Sequence, residues 1–481
     1  MPPSHDKGDG PQLERSVGRV IESPPALVVI GTAYHAPTAA TLEVLADTAL
    51  VIDAQGFITG VHPAGSTGAA GAIADSVQVV RLASDQRLMP GLVDLHIHAP
   101  QWPQLGTGLD LTLERWLFEY TFPLEARFAD RQFAADVWNH MVPTLLAHGT
   151  TTAVYFATVH QEATRMLAEQ CVRFGQRAFI GRVAMDHPEG TPTWYRDASA
   201  AVGIEASHAS IEAVRSVGGT RALVQPIITP RFVPACTDEL LAGLGALAAS
   251  TGVPVQTHCS ESDWAHTVVH DRFGTSDATV LRDMGLLRAG TVLAHGNFLS
   301  DDDMGAIRLV GAGVAHCPQS NSYFANAVFP VRHALELGVN VGMGTDVAGG
   351  AHPGLLGQCS RAVASARMLE DGVNPRVAAA DRGTPNTRID AVTAFHLATA
   401  GGGDVLGVPV GRFQVGQQFD AFVVDIANSR SGLRRWDGID TGEDGEARLF
   451  EKIVHLAGPD DIRTVWVAGR AVAPRDGFAT D

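Results

Sequence analysis

Positive charge is scarce in this 481-residue sequence, which has 35 lysine and arginine residues against 52 aspartate and glutamate residues. The formal net charge of −17 at pH 7 repels phosphate backbones and anionic lipid, so it argues against nucleic-acid or membrane partners. We therefore expect a small substrate that is neutral or cationic. Lysine is the scarcest basic residue, since the sequence contains only Lys7 and Lys452.

Cysteine is also sparse, and its spacing predicts no disulfide framework. The five cysteines include no CxxC pair, and their odd number favours a reducing cytoplasm. The N-terminal segment is polar and lacks the apolar stretch of a signal peptide, so we expect a cytoplasmic protein. No apolar run reaches the ~20 residues that a membrane helix requires.

The apolar content is that of a compact globular protein, with 45% hydrophobic and 18% charged residues. Short β-rich runs alternate with turns from Ala26 to about Leu88, and this texture returns after about Gly411. We expect the two segments to form a small antiparallel sheet domain, a β-sandwich. The predicted organisation is a disordered N-terminus (1–24), a first sandwich part (25–90), a barrel (91–405) and a second sandwich part (406–481).

The central region alternates apolar β-type runs with stretches at helical spacing, which is the pattern of βα repeats. Eight strands are predicted, at residues 91–99, 151–158, 177–185, 221–232, 253–262, 291–296, 313–321 and 340–350. Eight parallel strands at this spacing fit an α/β fold, a (β/α)8 TIM-like barrel. Its chemistry is expected at the carboxyl ends of the strands.

A histidine pair ends the first predicted barrel strand, in the sequence PGLVDLHIHA. Alternate residues of a strand point to the same side, so His96 and His98 should both face the barrel axis. Two imidazoles at a strand end can hold a transition metal. The pair alone fits two solvated or hydrogen-bonded histidines better than a metal site.

Further ligand-type side chains follow later strands, since His258, His295 and Asp346 end the fifth, sixth and eighth. Each alone has an ordinary structural explanation, a hydrogen-bonded core histidine or a helix-capping aspartate. Together with the histidine pair they favour a divalent metal such as zinc, with a position left for water. Glu261, three residues after His258, could exchange a proton with that water, or it could cap the next helix.

Several of these motifs resemble the amidohydrolase superfamily, namely PGLVDLHIHAPQ, THCSES, LAHG and GTDVAGG. Longer segments are similar to the guanine deaminase family within it, namely DLTLERWLFEYTFPLEARF, HGTTTAVYFATVH, FGQRAFIGRVAMD, PIITPRF and AHCPQSN. The resemblance covers about residues 26–475. It implies hydrolytic deamination of guanine to xanthine and ammonia by a zinc-activated hydroxide, a step of purine catabolism, in a homodimer.

The resemblance also implies roles for individual residues. One Zn²⁺ per chain would be bound by His96, His98, His258 and Asp346. Among the catalytic residues, His295 would orient the attacking water, Glu261 would shuttle its proton, and Asp346 would accept protons on the way. The implied substrate-binding residues are Gln101, Trp102, Arg231, Phe232, His258 and Asp346.

Two of these substrate contacts have a chemical rationale. A glutamine offers both a donor and an acceptor, and an arginine offers a planar fork, so Gln101 and Arg231 together can read the edge of a base. Without the resemblance, Arg231 fits a surface ion pair and Gln101 an ordinary loop residue. The thiol of Cys259 should point away from the His258 side and be buried.

The lysine distribution excludes one form of the family's chemistry. Binuclear amidohydrolases bridge two metals with a carboxylated lysine, and no lysine lies between Lys7 and Lys452. The cytidine-deaminase pattern is also incomplete, because no PCxxC follows the HPE at 187–189. Two alternatives stay open: a sister deaminase acting on isoxanthopterin, 8-oxoguanine or a triazine, and a non-catalytic scaffold that kept the barrel.

Overall fold

The computed structural model describes residues 26–218, 223–427, 430, 432–437, 439–440 and 444–473. The N-terminus predicted to be disordered, residues 1–24, lies outside these ranges. Across the described chain, no helix has both the length and the apolar character needed to cross a bilayer.

The strands and helices follow one another as the alternating sequence pattern predicts. The strands are β1 Leu27–Thr38, β2 Thr41–Ile52, β3 Ile58–Pro63, β4 Gln78–Arg81, β5 Gln86–Pro90, β6 Leu92–His98, β7 Thr150–Phe156, β8 Arg177–Gly181, β9 Val183–Ala184, β10 Val224–Pro226, β11 Thr229–Pro230, β12 Gln256–Cys259, β13 Val292–His295, β14 Gly313–His316, β15 Asn340–Met343, β16 Ala421–Asp425, β17 Ile462–Val467 and β18 Arg470–Ala473. The helices are α1 Thr67–Asp75, α2 Leu113–Trp116, α3 Phe122–Ala126, α4 Arg131–Ala147, α5 Gln161–Phe174, α6 Ala200–Val217, α7 Asp238–Thr251, α8 Asp263–Phe273, α9 Asp277–Asp283, α10 Asp301–Val310, α11 Pro318–Ser320, α12 Val331–Glu336, α13 Leu355–Asp371, α14 Ala391–His396, α15 Gly402–Leu406 and α16 Gly445–Leu456.

The helix boundaries follow from capping residues. Five barrel helices, α6 to α10, begin after a serine or threonine whose side chain accepts the backbone N–H three residues on. These hydroxyls satisfy donors that the first helical turn leaves unpaired. Helices α5, α7, α8 and α10 end at a glycine with positive φ, a conformation that costs glycine little.

Eight parallel strands form the barrel, in the order β10-β8-β7-β6-β15-β14-β13-β12. Strand β15 pairs with β6, with Met343 opposite Asp94. The ring closes at Ile228, which donates to Pro254 O at 2.8 Å and accepts from Gln256 N at 2.9 Å. All eight predicted strands are present but shorter, and two are interrupted: β8 is followed by β9 and β10 by β11, and β9 and β11 pair in a separate two-stranded sheet.

Apolar side chains fill the barrel interior. One cluster joins buried residues of strands on several sides of the ring, namely Val93, Leu95, Val154, Phe179, Ile227, Val292 and Ala315, together with Val405 and Val410. This packing leaves the carboxyl ends of the strands as the place where polar groups meet.

The N-terminal and C-terminal segments share a second sheet, as predicted. Its order is β18-β17-β16-β5-β1-β2-β3, and β4 pairs with β1. The prediction that this sheet is antiparallel is wrong in part, because β1 runs parallel to β4 and, at Ala33 opposite Leu88, to β5. The reason is helix α1, which the sequence pattern did not predict and which supplies the crossover that parallel strands require.

A buried ion pair ties this second sheet to the barrel. Arg177 of β8 contacts Asp420, which precedes β16, through Nη2–Oδ1 at 3.0 Å, and both side chains are at most 7% exposed. Asp420 Oδ1 also accepts the Ala468 N–H at 2.7 Å, and its carbonyl accepts the Gly91 N–H at 2.8 Å. Gly91 directly precedes β6, so this contact anchors the strand that carries the histidine pair.

Arg177→Ala should therefore lower the free energy of unfolding by about 3–5 kcal/mol, because it leaves a buried carboxylate without its partner. Chemical denaturation measures this loss. The matched control is Arg463→Ala, which breaks the more exposed Arg463–Asp425 pair of the same sheet and should cost about 1 kcal/mol or less. Equal losses in the two variants would contradict a special role for the buried pair.

Candidate active site

The barrel strands bring ligand-type side chains to one rim. His96 and His98 lie in β6, His258 in β12 and His295 at the end of β13, and Asp346 follows β15 by three residues. Each is at most 7% exposed. Because the strands are parallel, their carboxyl ends meet at the same rim of the barrel.

Four of these side chains have the spacing of ligands around one ion. His98 Nε2 lies 2.9 Å from His258 Nε2. Asp346 Oδ1 lies 3.2 Å from His96 Nε2 and 3.7 Å from His98 Nε2. Two ligand atoms about 2.1 Å from a tetrahedral zinc ion are themselves roughly 3.4 Å apart, and these three separations scatter around that value.

The charge states of these groups also suit a metal. Burial, reinforced by neighbouring imidazoles, lowers the pKa of His98 and of His258 well below the usual range. Burial alone would raise the pKa of Asp346, but His96 and the neighbouring imidazoles hold it well below its usual range. Neutral imidazoles and an ionised carboxylate are the protonation states that metal binding requires.

Hydrogen bonds on the far side of two rings fix their tautomers. His258 Nδ1 donates to the Arg231 carbonyl at 2.6 Å, which leaves Nε2 unprotonated and facing the cluster. His295 Nδ1 donates to Asn321 Oδ1 at 2.9 Å. The Asn321 amide is oriented by Asn297, whose Oδ1 accepts from Asn321 Nδ2 at 2.8 Å, so His295 Nδ1 must be the donor in this contact.

Several imidazole nitrogens of the cluster are buried without a partner, which also favours a metal site. Among the described residues, both ring nitrogens of His96 are buried without a hydrogen bond, as is His295 Nε2. Burying a polar atom without a partner is costly, and an ion would supply the partner. Three imidazoles and a carboxylate therefore fit zinc or a related divalent ion.

Glu261 lies beside this cluster, on the loop that follows β12. Its Oε1 is 3.6 Å from His295 Nε2, and burial raises its pKa to about 7. A carboxyl group that titrates near neutrality can both take and return a proton. The alternative that Glu261 caps the next helix is excluded by Ser262, whose side chain accepts the Ala265 N–H at the start of α8.

The loops that carry these groups are conformationally strained. Ser260, His295 and Asp346 have φ values of 48°, 74° and 50°, a region that residues with side chains seldom occupy and that clusters at functional sites. Asp277 holds the strained Ser260 by accepting its N–H at 2.9 Å and its hydroxyl at 3.0 Å. The turn after His258 is thereby fixed, and with it the position of Glu261.

A cavity opens onto the cluster. Its apolar wall is formed by Leu113, Trp116, Leu117, Phe232 and Phe324. Its polar lining comprises His98, Gln101, Arg231, His258, Glu261 and Asp346. An apolar slot with a few convergent polar groups is the usual form of a site for a small aromatic molecule.

The polar end of the cavity lies around Arg231, which is buried rather than at the surface. Arg231 Nη1 and Nη2 donate to Glu125 at 2.7 and 3.0 Å. Gln101 Nε2 donates to the same carboxylate at 3.0 Å. Glu125 therefore holds together Gln101 and Arg231, the two residues predicted to bind the edge of a base.

The remaining sequence predictions have mixed outcomes. Cys259 is buried, as expected. Trp102 is not among the described residues that line the cavity, and its indole N–H donates to His140 Nδ1 of α4 at 3.0 Å, so its substrate contact stays a prediction. Sequence reasoning missed Glu125 and Asn321, although both lie within segments that carried the family resemblance, YTFPLEARF and AHCPQSN.

The family of the protein follows from comparison with known sequences. The amidohydrolase family model matches residues 87–472, which include every residue of the site. The chain belongs to the amidohydrolase family.

Individual relatives within this family are similar to the chain over most of its length. A probable guanine deaminase of Schizosaccharomyces pombe is 38% identical over 81% of this chain and 72% of its own length. The guanine deaminase of Mus musculus is 34% identical over 94% of this chain and 97% of its own. A guanine deaminase structure from C. acetobutylicum, with guanine bound in its active site, superposes with a TM-score of 0.81 at 27% identity, over 92% of this chain and 99% of that one.

Asn321→Leu should destabilise the protein by about 1–3 kcal/mol, because it leaves the buried His295 Nδ1–H without an acceptor. Denaturant unfolding of the metal-free protein measures the change. Asn340→Leu, at an exposed asparagine of β15, is the matched control and should cost much less. If the two variants unfold alike, Asn321 does not hold the His295 ring.

Proposed function

We propose that the protein is a hydrolase that deaminates guanine to xanthine and ammonia. The observation that carries this proposal is that two separately hydrogen-bonded groups of polar side chains line one cavity. One group is Glu261 with the cluster of metal-ligand type, and the other is Arg231 with Gln101, which share Glu125. Such a cavity suits a neutral aminated heterocycle whose oxygen-bearing edge is bound at one end while a ring carbon reacts at the other.

The metal proposed is a single zinc ion, held by His96, His98, His258 and Asp346. When bound, such an ion polarises water and makes it nucleophilic at neutral pH. A second ion is not expected, because no lysine between Lys7 and Lys452 is present to bridge it in carboxylated form.

Glu261 is the proposed proton shuttle. It takes one proton from the attacking water, whose oxygen forms a bond to C2 of guanine, and passes that proton to the ring nitrogen beside C2. His295 and Asp346 orient the water and accept its second proton. That proton then moves to the exocyclic amine, the C2–N bond breaks, and ammonia leaves.

Arg231 and Gln101 are proposed to bind the oxygen-bearing edge of guanine. Guanine offers two acceptors there, O6 and N7, whereas adenine replaces the oxygen with an amino donor. A donor fork therefore pairs with guanine and meets an unmatched donor on adenine. Phe232 and the apolar wall pack against the ring.

We also propose a domain division on the same lines as the sequence pattern. Residues 25–90 and 406–481 would form one small β-sandwich beside the barrel of residues 91–405, supported by the pairing of β5 with β16. The homodimer implied by the family resemblance is part of this proposal, and light scattering of the purified protein tests it.

The function is tested by ammonia release from a panel of guanine, adenine, isoxanthopterin, 8-oxoguanine and melamine. The value of kcat/KM for guanine should exceed that for adenine by about 10⁴-fold, since a site built to hydrogen-bond one group leaves its donors unpaired with the other. A higher value for isoxanthopterin, 8-oxoguanine or melamine would assign the protein to a sister deaminase. Absence of release from every compound would favour a non-catalytic scaffold.

Elemental analysis should find one zinc per chain in the active protein. His98→Ala should lose the metal and the activity together, because it removes one of the four ligands. His208→Ala, at an exposed histidine of α6, should lose neither. Two metals per chain, or full activity without metal, would refute the proposed site.

Glu261→Gln should lower kcat by roughly 10²–10⁴-fold, because glutamine keeps the shape but cannot accept a proton. Zinc content should stay near wild type, since the four ligands are unchanged. Glu239→Gln, the same change at an exposed position of α7, is the control and should leave kcat unaltered. A near-normal kcat with full zinc in Glu261→Gln would exclude the shuttle, and lost zinc would mean that Glu261 supports the metal.

A further inference from the structure

A carboxylate with no assigned role lies at the polar end of the cavity. Glu125 belongs to α3 and is 0% exposed. It accepts two hydrogen bonds from Arg231, at 2.7 and 3.0 Å, and one from Gln101, at 3.0 Å. A charge is buried at this depth only where it is paired and hydrogen-bonded, and Arg231 and Gln101 supply such contacts. The Tyr195 hydroxyl is a further polar neighbour of the carboxylate.

Glu125 determines which edge of Arg231 is free. A guanidinium has five N–H donors in one plane, and Glu125 uses one on Nη1 and one on Nη2. The Nε–H and the outer Nη hydrogens remain, so one lateral edge still offers two parallel donors. The plane itself is held by Phe122, whose ring centroid lies 5.0 Å from Arg231 Cζ.

Glu125 also determines which way the Gln101 amide faces. A carboxylate only accepts, so the group that contacts it must be Nε2, and Gln101 Oε1 accepts the Ala348 N–H at 3.2 Å. An amide flip would break both contacts. One N–H and one lone pair of Gln101 are left for a ligand, in a fixed order.

The charge of Arg231 is cancelled at the same time. The Arg231–Glu125 pair is buried, with exposures of 2% and 0%, and it carries no net charge. A lone buried guanidinium would attract an anion, whereas the pair offers directed hydrogen bonds without that attraction. This end of the cavity is therefore suited to a neutral carbonyl and ring nitrogen.

We propose that Glu125 is a positioning and specificity-determining residue, which fixes the donor pattern of Arg231 and Gln101 and makes the cavity select neutral oxo-heterocycles over anionic ligands. The proposal rests on the function proposed above for this site. Glu125 contacts the two binding side chains and not the reacting atoms. Its loss should therefore affect substrate binding more than the chemical step.

Glu125→Gln tests the charge, with Glu119→Gln in the neighbouring exposed turn as the matched control. The KM for guanine should rise by about 10–100-fold with a smaller change in kcat, as expected when binding common to ground and transition state is lost. Zinc content should be unchanged in both variants. Unchanged KM and kcat in zinc-loaded Glu125→Gln would overturn the positioning role.

The Kd values of two probes, measured by calorimetry, distinguish a role of Glu125 in ligand specificity from a role in protein stability alone. The probes are purine-6-carboxamide and purine-6-carboxylate, which share a shape and differ in charge. The ratio of their Kd values, carboxylate over carboxamide, should fall by about 10-fold or more in Glu125→Gln, because the uncompensated Arg231 gains an anionic partner. A purely structural role for Glu125 would lower thermal stability and leave this ratio unchanged, which would overturn the proposal.

Glu125→Asp keeps the test decisive if Glu125→Gln does not fold. It retains the charge but shortens the reach, so it should raise the KM for guanine and leave the probe ratio as in wild type. A wild-type KM in this variant would contradict the positioning role. Failure of the wild-type protein to deaminate guanine would refute the proposed function instead. The ratio of the probe Kd values needs no turnover, so it would still test the role of Glu125.

Discussion

The site depends on the burial of neutral imidazoles against one ionised carboxylate. His98 Nε2 lies 2.9 Å from His258 Nε2, and beside them both ring nitrogens of His96 are buried without a hydrogen bond. A cation held there would satisfy these lone pairs, and Asp346 would help to balance its charge. The cluster forms only when strands from opposite parts of the ring are in register. The closure of the barrel therefore determines the geometry of the ligand-type side chains.

The two polar groups that line the cavity differ in how their charges are balanced. At the cluster, the carboxylate of Asp346 can bind a cation and that of Glu261 can bind a proton. At the other end, the Arg231–Glu125 pair cancels internally and leaves only directed hydrogen bonds. A neutral heterocycle fits between them, which agrees with the expectation drawn from the net charge of −17 that anionic substrates are disfavoured.

The sequence predicted the barrel well because each strand is a short apolar run that ends in polar residues. It failed where the signal was weak or non-local. Helix α1 is nine residues of small side chains with little amphipathic pattern, so the parallel pairing of β1 with β4 was missed. The substrate contact that the resemblance implied for Trp102 is not visible in the cavity lining, because its indole N–H is directed at His140 of α4. The contacts of Glu125 span 24 and 106 residues, which no local pattern encodes.

We expect guanine to lie across the cavity with its reacting carbon toward the histidine cluster. A crystal structure of the zinc-loaded Glu261→Gln protein with guanine would show this orientation, because slow turnover preserves the substrate. O6 should lie within hydrogen-bond distance of Arg231, and the C2 amino group should lie beside residue 261 and the metal. Guanine bound the other way round, with O6 toward the metal and C2 toward Arg231, would contradict it.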